Sequence, residues 1–303
     1  MKKLTFILIS FSILFSLSQA QDKKDSLGWH RGGFAALNFS QVGFSNWAQG
    51  GENSIAVSSL FNAFYNHLTA KTFWNNNLDL AYGLIKSESF NGIRKNDDKI
   101  ELTSLYGKHA FAKIYYSGAL NFKSQFAPGY NYPDDSNVVS RFMSPGYLSL
   151  AAGLTWKPTD YFYVFFSPVT GRFTFVLDQV LANKGAYGVD SSKNVRTEFG
   201  SSLLARLEKE IVKNVSLISK LSLFNNYTDK RSENRKNIDV DWQTGVNMKV
   251  NGFLGASVFT HLIYDDDIQV PLFKDVNGVK TQVGTGKRLQ FKEVIGVGFS
   301  AKF

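Results

Sequence analysis

Hydrophobic and polar residues alternate with a period of two along most of the chain. The clearest example is the last segment, LQFKEVIGVGFSAKF (289–303), in which every second residue is apolar except Glu293. Such alternation predicts a β-strand with one apolar and one polar face. The same pattern recurs at 74–84, 116–126 and 238–248. The chain is therefore predicted to be all-β.

Twelve alternating segments follow one another along the chain. They span 33–44, 53–67, 71–84, 98–112, 115–127, 140–157, 160–167, 195–210, 214–228, 238–250, 252–265 and 287–303. Most of them reach the ~9–11 residues with which a strand crosses a bilayer, rather than the ~5–6 of an ordinary strand. Residues 172–181 fit either a short helix or a hairpin arm, and the second choice would give fourteen strands.

The connections between these segments alternate between short and long. Five are tight turns, and the six longer ones cover 45–52, 85–97, 128–139, 168–194, 229–237 and 266–286. Outer-membrane barrels have short periplasmic turns and longer outer loops. The alternation therefore predicts a transmembrane antiparallel up-and-down β-barrel of about twelve strands. A soluble β-sandwich has no reason to alternate its loop lengths in this way.

The first twenty residues have the features of a secretory signal peptide. Lys2 and Lys3 precede an apolar run, and Ser18 and Ala20 are small residues suited to the cleavage site. The expected divisions of the chain are a signal peptide (1–20), a polar periplasmic lead-in (21–31) and an outer-membrane β-barrel (32–303).

The last strand ends on an aromatic residue. Phe303 closes the segment and Phe299 lies four residues earlier in the same apolar register. This ending resembles the C-terminal strand of bacterial outer-membrane barrels, whose closing aromatic is read by the barrel-assembly machinery. Together with the signal peptide it predicts a location in the outer membrane. The expected partners are that machinery, outer-membrane lipid and lipopolysaccharide.

Composition excludes several other classes of protein. The chain has no Cys, which rules out disulfides and thiolate metal sites. It has no apolar run of about 20 residues, the length that a transmembrane helix needs. The 15% aromatic content fits interfacial girdles at strand ends. Removal of 1–20 lowers the formal charge from +9 to +7. The basic residues form no stripe along a nucleic-acid recognition element, so no nucleic-acid partner is expected.

The polar face of the alternating segments is rich in charge of both signs. In a membrane barrel this face lines the lumen. The predicted lumen polar network comprises Asp79, Lys123, Glu198, Arg206, Glu208, Lys220, Asp239, Asp241, Lys249, Arg288 and Lys292. Charges removed from bulk water need partners. The network is interpreted first as structural and second as the lining of a narrow polar conduit.

Candidate catalytic chemistry is sparse. No phosphate-binding glycine loop, His-Glu-x-x-His motif or EF-hand spacing occurs in the sequence. Ser257 and His261 share one strand face and are weak candidates for a hydrolase pair. Acidic pairs such as Asp97–Asp98 contain oxygens that suit Ca²⁺ or Mg²⁺, but solvated loops are the simpler interpretation. No cofactor is expected, and a metal site is left open.

Five segments carry a family resemblance. They are NWAQGG (46–51), KNDDKIELTSLYG (95–107), LNFKSQFAPGY (120–130), SRFMSPGY (140–147) and FSPVTGRFTF (166–175). Together they resemble a family of outer-membrane barrels of unknown function found in Bacteroidota-type bacteria. The resemblance implies the fold and the location but no catalytic residue. The motif residues expected at the outer rim are Trp47, Gly50, Gly51, Asp97, Asp98, Gln125 and Pro145, with Gln125 facing Arg141 across one loop.

These observations favour a barrel without enzymatic activity. The first hypothesis is passage of small solutes, or a structural or accessory role with a protein partner in an envelope complex. The alternative is a membrane-embedded lipid hydrolase. A soluble secreted β-sandwich that binds a ligand is the less favoured third interpretation.

Overall fold

The computed structural model describes residues 27–43, 53–88, 90, 92–130, 132, 135–266, 270–276 and 279–302. The strands among these residues are β1 (Gly28–Val42), β2 (Ser54–Leu68), β3 (Thr72–Ser87), β4 (Arg94–Phe111), β5 (Ile114–Ser124), β6 (Gly129–Tyr130), β7 (Val138–Ser140), β8 (Gly146–Thr159), β9 (Phe162–Phe175), β10 (Val195–Val212), β11 (Val215–Asn226), β12 (Asp239–Lys249), β13 (Leu254–Tyr264), β14 (Val270–Val276), β15 (Val279–Gly286) and β16 (Gln290–Lys302). One helix, α1 (Gln179–Asn183), and two 3-10 turns (Ala186–Gly188 and Ser232–Lys236) lie between strands. None of the helices in these ranges is long and apolar enough to cross a membrane.

Twelve of the strands close into a single antiparallel barrel. Their order around the wall is β1, β16, β13, β12, β11, β10, β9, β8, β5, β4, β3 and β2, and β2 pairs with β1. The remaining strands form two small hairpins, β6–β7 and β14–β15, within long connections. Closure removes the exposed sheet edges that an open sheet would present. The prediction of an all-β, twelve-stranded antiparallel barrel is confirmed.

The turns and loops segregate to opposite ends of the barrel. Short turns at 69–71, 112–113, 160–161, 213–214 and 250–253 define what we call the short-turn end. The long connections 43–53, 88–93, 125–145, 176–194, 227–238 and 265–289 define the long-loop end. The predicted alternation of loop lengths is thereby confirmed.

The ambiguous segment 172–181 resolves into the end of one strand and the start of a helix. β9 continues to Phe175, beyond the strand end predicted at 167. Asp178 then caps α1, because its Oδ1 accepts hydrogen bonds from the backbone N–H of Val180 (3.0 Å) and Leu181 (3.1 Å). The alternative count of fourteen barrel strands is therefore wrong.

The barrel begins earlier than expected. β1 starts at Gly28 and pairs with β2 along its whole length, so 28–31 belong to the barrel rather than to the lead-in predicted at 21–31. Trp29 stacks on Tyr65 of β2 with 4.4 Å between the ring centroids, and this contact packs the start of β1 against β2. The predicted signal peptide, Trp47, Gly50, Gly51 and Phe303 lie outside the described residues.

The outward face of the barrel is apolar. Exposed large side chains occur around the wall, among them Phe39, Leu102, Tyr106, Leu150, Leu154, Phe166, Phe199 and Ile295. Aromatic contacts lie near both ends, with Trp29, Tyr65 and Trp74 at the short turns and Tyr82 against Phe126 at the long loops. An apolar surface of this extent is rare on a protein in water and is typical of one in lipid.

The core of the protein lies inside the lumen, towards the short-turn end. Phe73, Leu105, Tyr163 and Phe165 are buried against one another, and we call them the inner apolar cluster. Leu68, Tyr115, Ala119, Ala151 and Leu204 pack around it. These residues come from seven of the twelve barrel strands, β2, β3, β4, β5, β8, β9 and β10. The lumen is therefore not polar throughout, in contrast to the sequence interpretation.

An irregularity in β9 changes which residues face inward. Ser167 pairs with Ser202 of β10, but Thr170 pairs with Gly200, so β9 contains one extra residue at this point. Ser167 and Thr170 are both buried, although one is at an odd and the other at an even position. A β-bulge shifts the alternation in this way. It directs the even-numbered Arg172 into the lumen.

Neighbouring phenylalanines of β9 provide a test of the inner apolar cluster. Phe165 is buried and Phe166 is 50% exposed on the outward face. Phe165→Ala should destabilise the barrel by about 4 kcal/mol, because it loses transfer free energy and leaves a cavity. Phe166→Ala loses transfer free energy alone, about 2 kcal/mol. Urea unfolding in phospholipid vesicles measures both, and equal losses would contradict a packed lumen.

Candidate functional site in the barrel lumen

A carboxylate from one wall is surrounded by lysines inside the lumen. Glu101 of β4 is completely buried. Lys99 Nζ lies 2.9 Å from its Oε2, and Lys123 Nζ lies 3.8 Å from its Oε1. Lys220 of β11 forms an ion pair with Oε1, and Asn121 Nδ2 donates to the same atom at 3.0 Å. Glu101 therefore joins three strands of the barrel.

A second carboxylate continues this arrangement on the opposite wall. Asp241 of β12 pairs with Lys123 Nζ at 2.6 Å and with His261 Nε2 at 3.0 Å. Gln243 Nε2 donates to Asp241 at 3.2 Å, and Gln243 Oε1 accepts from Lys99 Nζ at 3.0 Å. β4 and β12 are six strands apart in either direction around the barrel. These contacts therefore cross the full diameter of the lumen.

We name Lys99, Glu101, Lys123, Lys220 and Asp241 the central charge cluster. Its exposure to solvent is uneven. Glu101 and Lys220 are enclosed, whereas the side chains of Lys99 and Lys123 are each 28% exposed and that of Asp241 is 24% exposed. Part of the cluster is therefore buried, and the rest is partly accessible to solvent.

A second group of charges lies nearer the long loops. Arg172 Nε is 3.1 Å from Glu198, and Arg172 Nη2 is 2.6 Å from Asp239. Arg196 also pairs with Glu198 at 2.8 Å, and the Arg172 guanidinium lies 4.0 Å from the centroid of the Phe224 ring. This group balances its charges internally, as buried ions require.

The other predicted lumen residues have diverse placements. Lys292 spans the lumen to Asp97 at 2.5 Å, Asn62 Nδ2 donates to Asp79 at 2.6 Å, and Arg206 pairs with Glu208 at 2.8 Å. Lys249 and Arg288 are exposed and lie outside the two charge groups. The placements of Lys123, Glu198, Asp239 and Asp241 are those described above.

Sequence reasoning missed Lys99, Glu101 and Arg172. Glu101 and Lys99 belong to the register Glu101, Thr103, Leu105, Gly107 of β4, which faces inward. The apparent conflict at Lys108 obscured that register, but Lys108 is on the outward face and exposed near the short turn. Arg172 was missed because the β9 bulge changes the phase of the alternation.

The structure does not bring the weak catalytic candidates together. Ser257 and His261 lie on the same face of β13 but four residues apart, a spacing of about 13 Å along a strand. His261 instead contacts Asp241. A nucleophile and its base need a hydrogen bond of about 3 Å, so this pair lacks the geometry of a hydrolase.

The motif residues of the rim hold a loop in place. Asp98 accepts hydrogen bonds from the backbone N–H of Phe126 (2.7 Å) and Ala127 (2.9 Å). Gln125 Nε2 donates to Ser140 Oγ at 2.8 Å. Gln125 was expected to face Arg141 across this loop, and its observed partner is the preceding residue, Ser140. Two further contacts at this rim are the ion pair of Arg141 with Asp178 at 3.2 Å and the hydrogen bond from Ser124 to the Pro145 carbonyl at 3.3 Å.

These contacts also bear on metal binding. The carboxylate of Asp98 is occupied by backbone N–H groups and by Lys95 at 2.7 Å, and that of Asp97 by Lys292. Within the described parts of the chain, no group of three or more His, Asp or Glu residues is arranged to hold a metal ion.

Ion pairs join neighbouring long loops. Lys230 contacts Asp190 at 2.5 Å, and hydrogen bonds from Lys230 and Lys193 lower the pKa of Asp190. Asp266 accepts from Lys287 at 2.5 Å and from Asn237 at 2.7 Å. The hydrogen bond from Lys287 is the main cause that lowers the pKa of Asp266. The hydrogen bond from Asn237 thereby ties the loop 227–238 to the loop 265–289, within which Asp266 is also paired with Lys287.

Comparison with known proteins identifies relatives of limited similarity. Residues 39–130 match a family model described as a protein of unknown function (DUF3078), which is less than a third of the chain. An outer membrane channel from Pseudomonas putida F1 is 12% identical, with 95% of this chain and 100% of that chain covered and a TM-score of 0.38. The translocator domain of autotransporter NalP from Neisseria meningitidis is 12% identical, with 100% and 95% covered and a TM-score of 0.36. No curated protein matches the chain.

The central charge cluster makes a prediction about stability. Glu101→Gln leaves three lysines around a neutral buried group, which should cost about 3–5 kcal/mol. Glu208→Gln is the matched control, because its carboxylate is 55% exposed and its ion pair contributes at most about 1 kcal/mol. Urea unfolding in vesicles compares the two. If Glu101→Gln lowers the free energy of unfolding by no more than the control does, the lysines do not depend on this carboxylate.

The loop tie at Asp266 makes a prediction about pH. A carboxylate whose pKa is lowered on folding contributes stability above its ordinary pKa of 3.8, and this contribution is lost as pH falls through the folded-state pKa. Cleavage by pepsin within 227–238 and 265–289 should therefore rise as pH falls below about 4. Asp266→Asn lacks the titrating group and corrects for the pH dependence of pepsin. Identical pH profiles for the two proteins would contradict the tie.

Proposed function

We propose that the chain is an outer-membrane β-barrel that forms a narrow conduit for small solutes and favours anions. One observation carries the proposal, namely the uneven exposure of the central charge cluster. Lys99 and Lys123 are partly exposed where they contact Gln243 and Asp241 of β12, while Glu101 is completely buried.

Several small residues lie on the wall that these lysines reach. Gly245, Gly255, Ser257, Gly296 and Gly298 occupy inward positions on β12, β13 and β16, in the same registers as Asp241, His261 and Lys292. A Cβ placed on Gly245 would meet no atom closer than 4.0 Å. Gly245 thereby leaves space at its position on this wall, whereas the inner apolar cluster fills the lumen along β3, β4 and β9.

The charges on the open side support a preference for anions. Lys99, Lys123 and Lys292 are each at least 28% exposed. The carboxylates beside them are less exposed, at 24% for Asp241 and 14% for Asp97. Charged side chains around a constriction set which ions pass. Cationic ammonium groups are thus the more accessible charges along the proposed path.

The size of the conduit follows from the strand count and the core. A twelve-stranded lumen lies between small filled barrels and the open barrels of 16–18 strands. The inner apolar cluster and the residues packed around it come from seven of the twelve barrel strands, towards the short-turn end. The path that remains suits ions and small polar solutes rather than macromolecules.

The proposed location is supported by the outward face. The exposed apolar residues and the aromatic contacts at both ends of the barrel match a lipid-facing band with two interfacial girdles. Fractionation with membranes and heat-dependent migration on gels test this location. Recovery of the mature chain as a soluble monomer would contradict it.

Recordings in planar bilayers test the conduit. The protein should show discrete conductance steps, with a reversal potential in a KCl gradient that indicates preference for Cl⁻. Lys292→Glu should lower the Cl⁻/K⁺ permeability ratio by about twofold or more, because it replaces an accessible cation by an anion. Lys108→Glu makes the same charge change on the outward face and should leave the ratio unchanged. The absence of conductance, or equal effects of both variants, would refute the proposal.

A further inference from the structure

Polar residues on the outward faces of β11, β12, β13 and β16 lie in one row across the strands. The row pairs Ser219 with Thr244, Thr244 with Thr260, and Thr260 with Glu293. The other described residues at outward positions of these strands are apolar except for three towards the long loops, Asn225, Trp242 and Tyr264. We name Ser219, Thr244, Thr260 and Glu293 the outer polar row. Residues without a common partner would have no reason to align on four strands.

Contacts on either side establish that the outer polar row faces away from the lumen. Trp242 is 48% exposed on the outward face, and its Nε1 donates to Ser219 Oγ at 3.0 Å. Successive residues of a strand point to opposite faces. The residues adjacent in sequence make the lumen contacts described above, namely Lys220, Gln243, His261 and Lys292. Four residues on four neighbouring strands span about 14 Å.

Glu293 lies within the apolar band of the barrel and not at its border. On the same face of β16, Phe291 lies one outward position nearer the long loops and is 62% exposed. Ile295 lies one outward position farther from them and is 69% exposed. Leu289 and Val297 extend the exposed apolar surface in both directions. A carboxylate in contact with hydrocarbon at such a position is unfavourable.

The two halves of the outer polar row differ in their hydrogen bonding. Ser219 Oγ accepts from Trp242 and shares a hydrogen bond of 3.2 Å with Thr244 Oγ1. Among the described residues, no hydrogen bond or ion pair involves the side chain of Thr260 or Glu293. The second half therefore presents a hydroxyl group and a carboxylate to the membrane. Polar groups in hydrocarbon need partners, which must here come from outside the chain.

The depth and the charge of this half indicate which partner fits. Lys or Arg pairs with a carboxylate in the membrane, and a membrane-spanning protein segment holds such a side chain at a fixed depth. The ammonium group of a lipid stays in the head-group layer, which lies outside the hydrocarbon core. A second copy packed on the same face would bring no cation, because the described outward positions of these four strands contain no Lys or Arg.

We propose that the outer polar row is a docking surface for a different membrane-spanning protein. The partner presents a Lys or Arg to Glu293 and a hydrogen-bonding side chain to Thr260. Apolar residues beside the row, such as Leu262 and Ile295, supply the packing surface. Glu293 is thus a cost to the isolated barrel that the partner's charge offsets. This inference rests on the proposed membrane location but not on conduction.

The stability of the purified chain tests whether Glu293 serves the barrel itself. In phospholipid vesicles, Glu293→Leu should lower the equilibrium constant for unfolding about fivefold, because a carboxylate leaves hydrocarbon. Glu208→Leu is the matched control, since the Glu208 carboxylate pairs with Arg206 at 2.8 Å and its loss should raise the constant. Urea titrations measure both. A constant that is unchanged or raised by Glu293→Leu would overturn the proposal.

Photocrosslinking in intact cells tests the docking. Thr260→benzoylphenylalanine places the reactive group in the row, and Leu150→benzoylphenylalanine places it on the outward face of β8, five strands away. An adduct with one protein is expected at the first position and lipid adducts alone at the second. Glu293→Leu should reduce the protein adduct by about fivefold or more, because the ion pair is lost. Adducts only with lipid or with a second copy, or a protein adduct that Glu293→Leu does not reduce, would overturn the docking surface.

Charge exchange then tests the chemistry of the contact. The crosslinked segment of the partner should contain a Lys or Arg. Changing that residue to Glu should abolish the adduct with the unmodified chain and restore it with Glu293→Lys. A segment without a basic residue, or a failure of the exchanged pair to restore the adduct, would overturn the proposed recognition.

Recordings in planar bilayers separate this inference from the proposed conduit. A Glu293-dependent adduct from a chain that shows no conductance would refute the conduit alone. Conductance from a chain that forms no such adduct would refute the docking surface alone. Recovery of the mature chain as a soluble monomer would refute both, because both need the membrane.

Discussion

Charge pairing inside a closed barrel is the constraint on which the rest of the structure depends. Closure leaves every strand with an inward and an outward face, and lipid excludes charge from the outward one. Ionisable side chains are therefore directed into the lumen, where each needs a partner. Glu101 meets this requirement with lysines from three strands, and Asp241 extends the contacts to the far wall. The network thus ties opposite walls together in addition to the backbone pairing around them.

The barrel was predictable from the sequence because its alternation is a local property. Each strand carries its own inward and outward pattern, and the loop lengths order the strands without knowledge of any contact. The pattern failed at the β9 bulge, where two inward residues, Ser167 and Thr170, have opposite parity. It also failed at Phe73, whose apolar ring lies in the polar register and joins the inner apolar cluster. Bulges and a filled lumen arise from packing between strands, which a single strand does not encode.

The candidate site was less predictable than the fold for a related reason. Lys123 and Asp241 were both expected in the lumen, but their contact joins residues 118 positions apart. It depends on barrel closure, strand order and register at the same time. Glu101 has the same inward register as Leu105, and only the complete barrel shows that three lysines converge on it. The sequence indicates which residues enter the lumen, and the three-dimensional arrangement determines which of them meet.

The lumen is asymmetric, and this asymmetry underlies the proposed conduit. Bulky side chains on β3, β4 and β9 fill one half, so stability is concentrated there. Gly245 of β12 leaves space on the other half, and the partly exposed Lys99 and Lys123 reach β12 there. The incomplete pairing of β1 with β16 lies on the same side. The proposed conduit runs along the half that the inner apolar cluster does not fill.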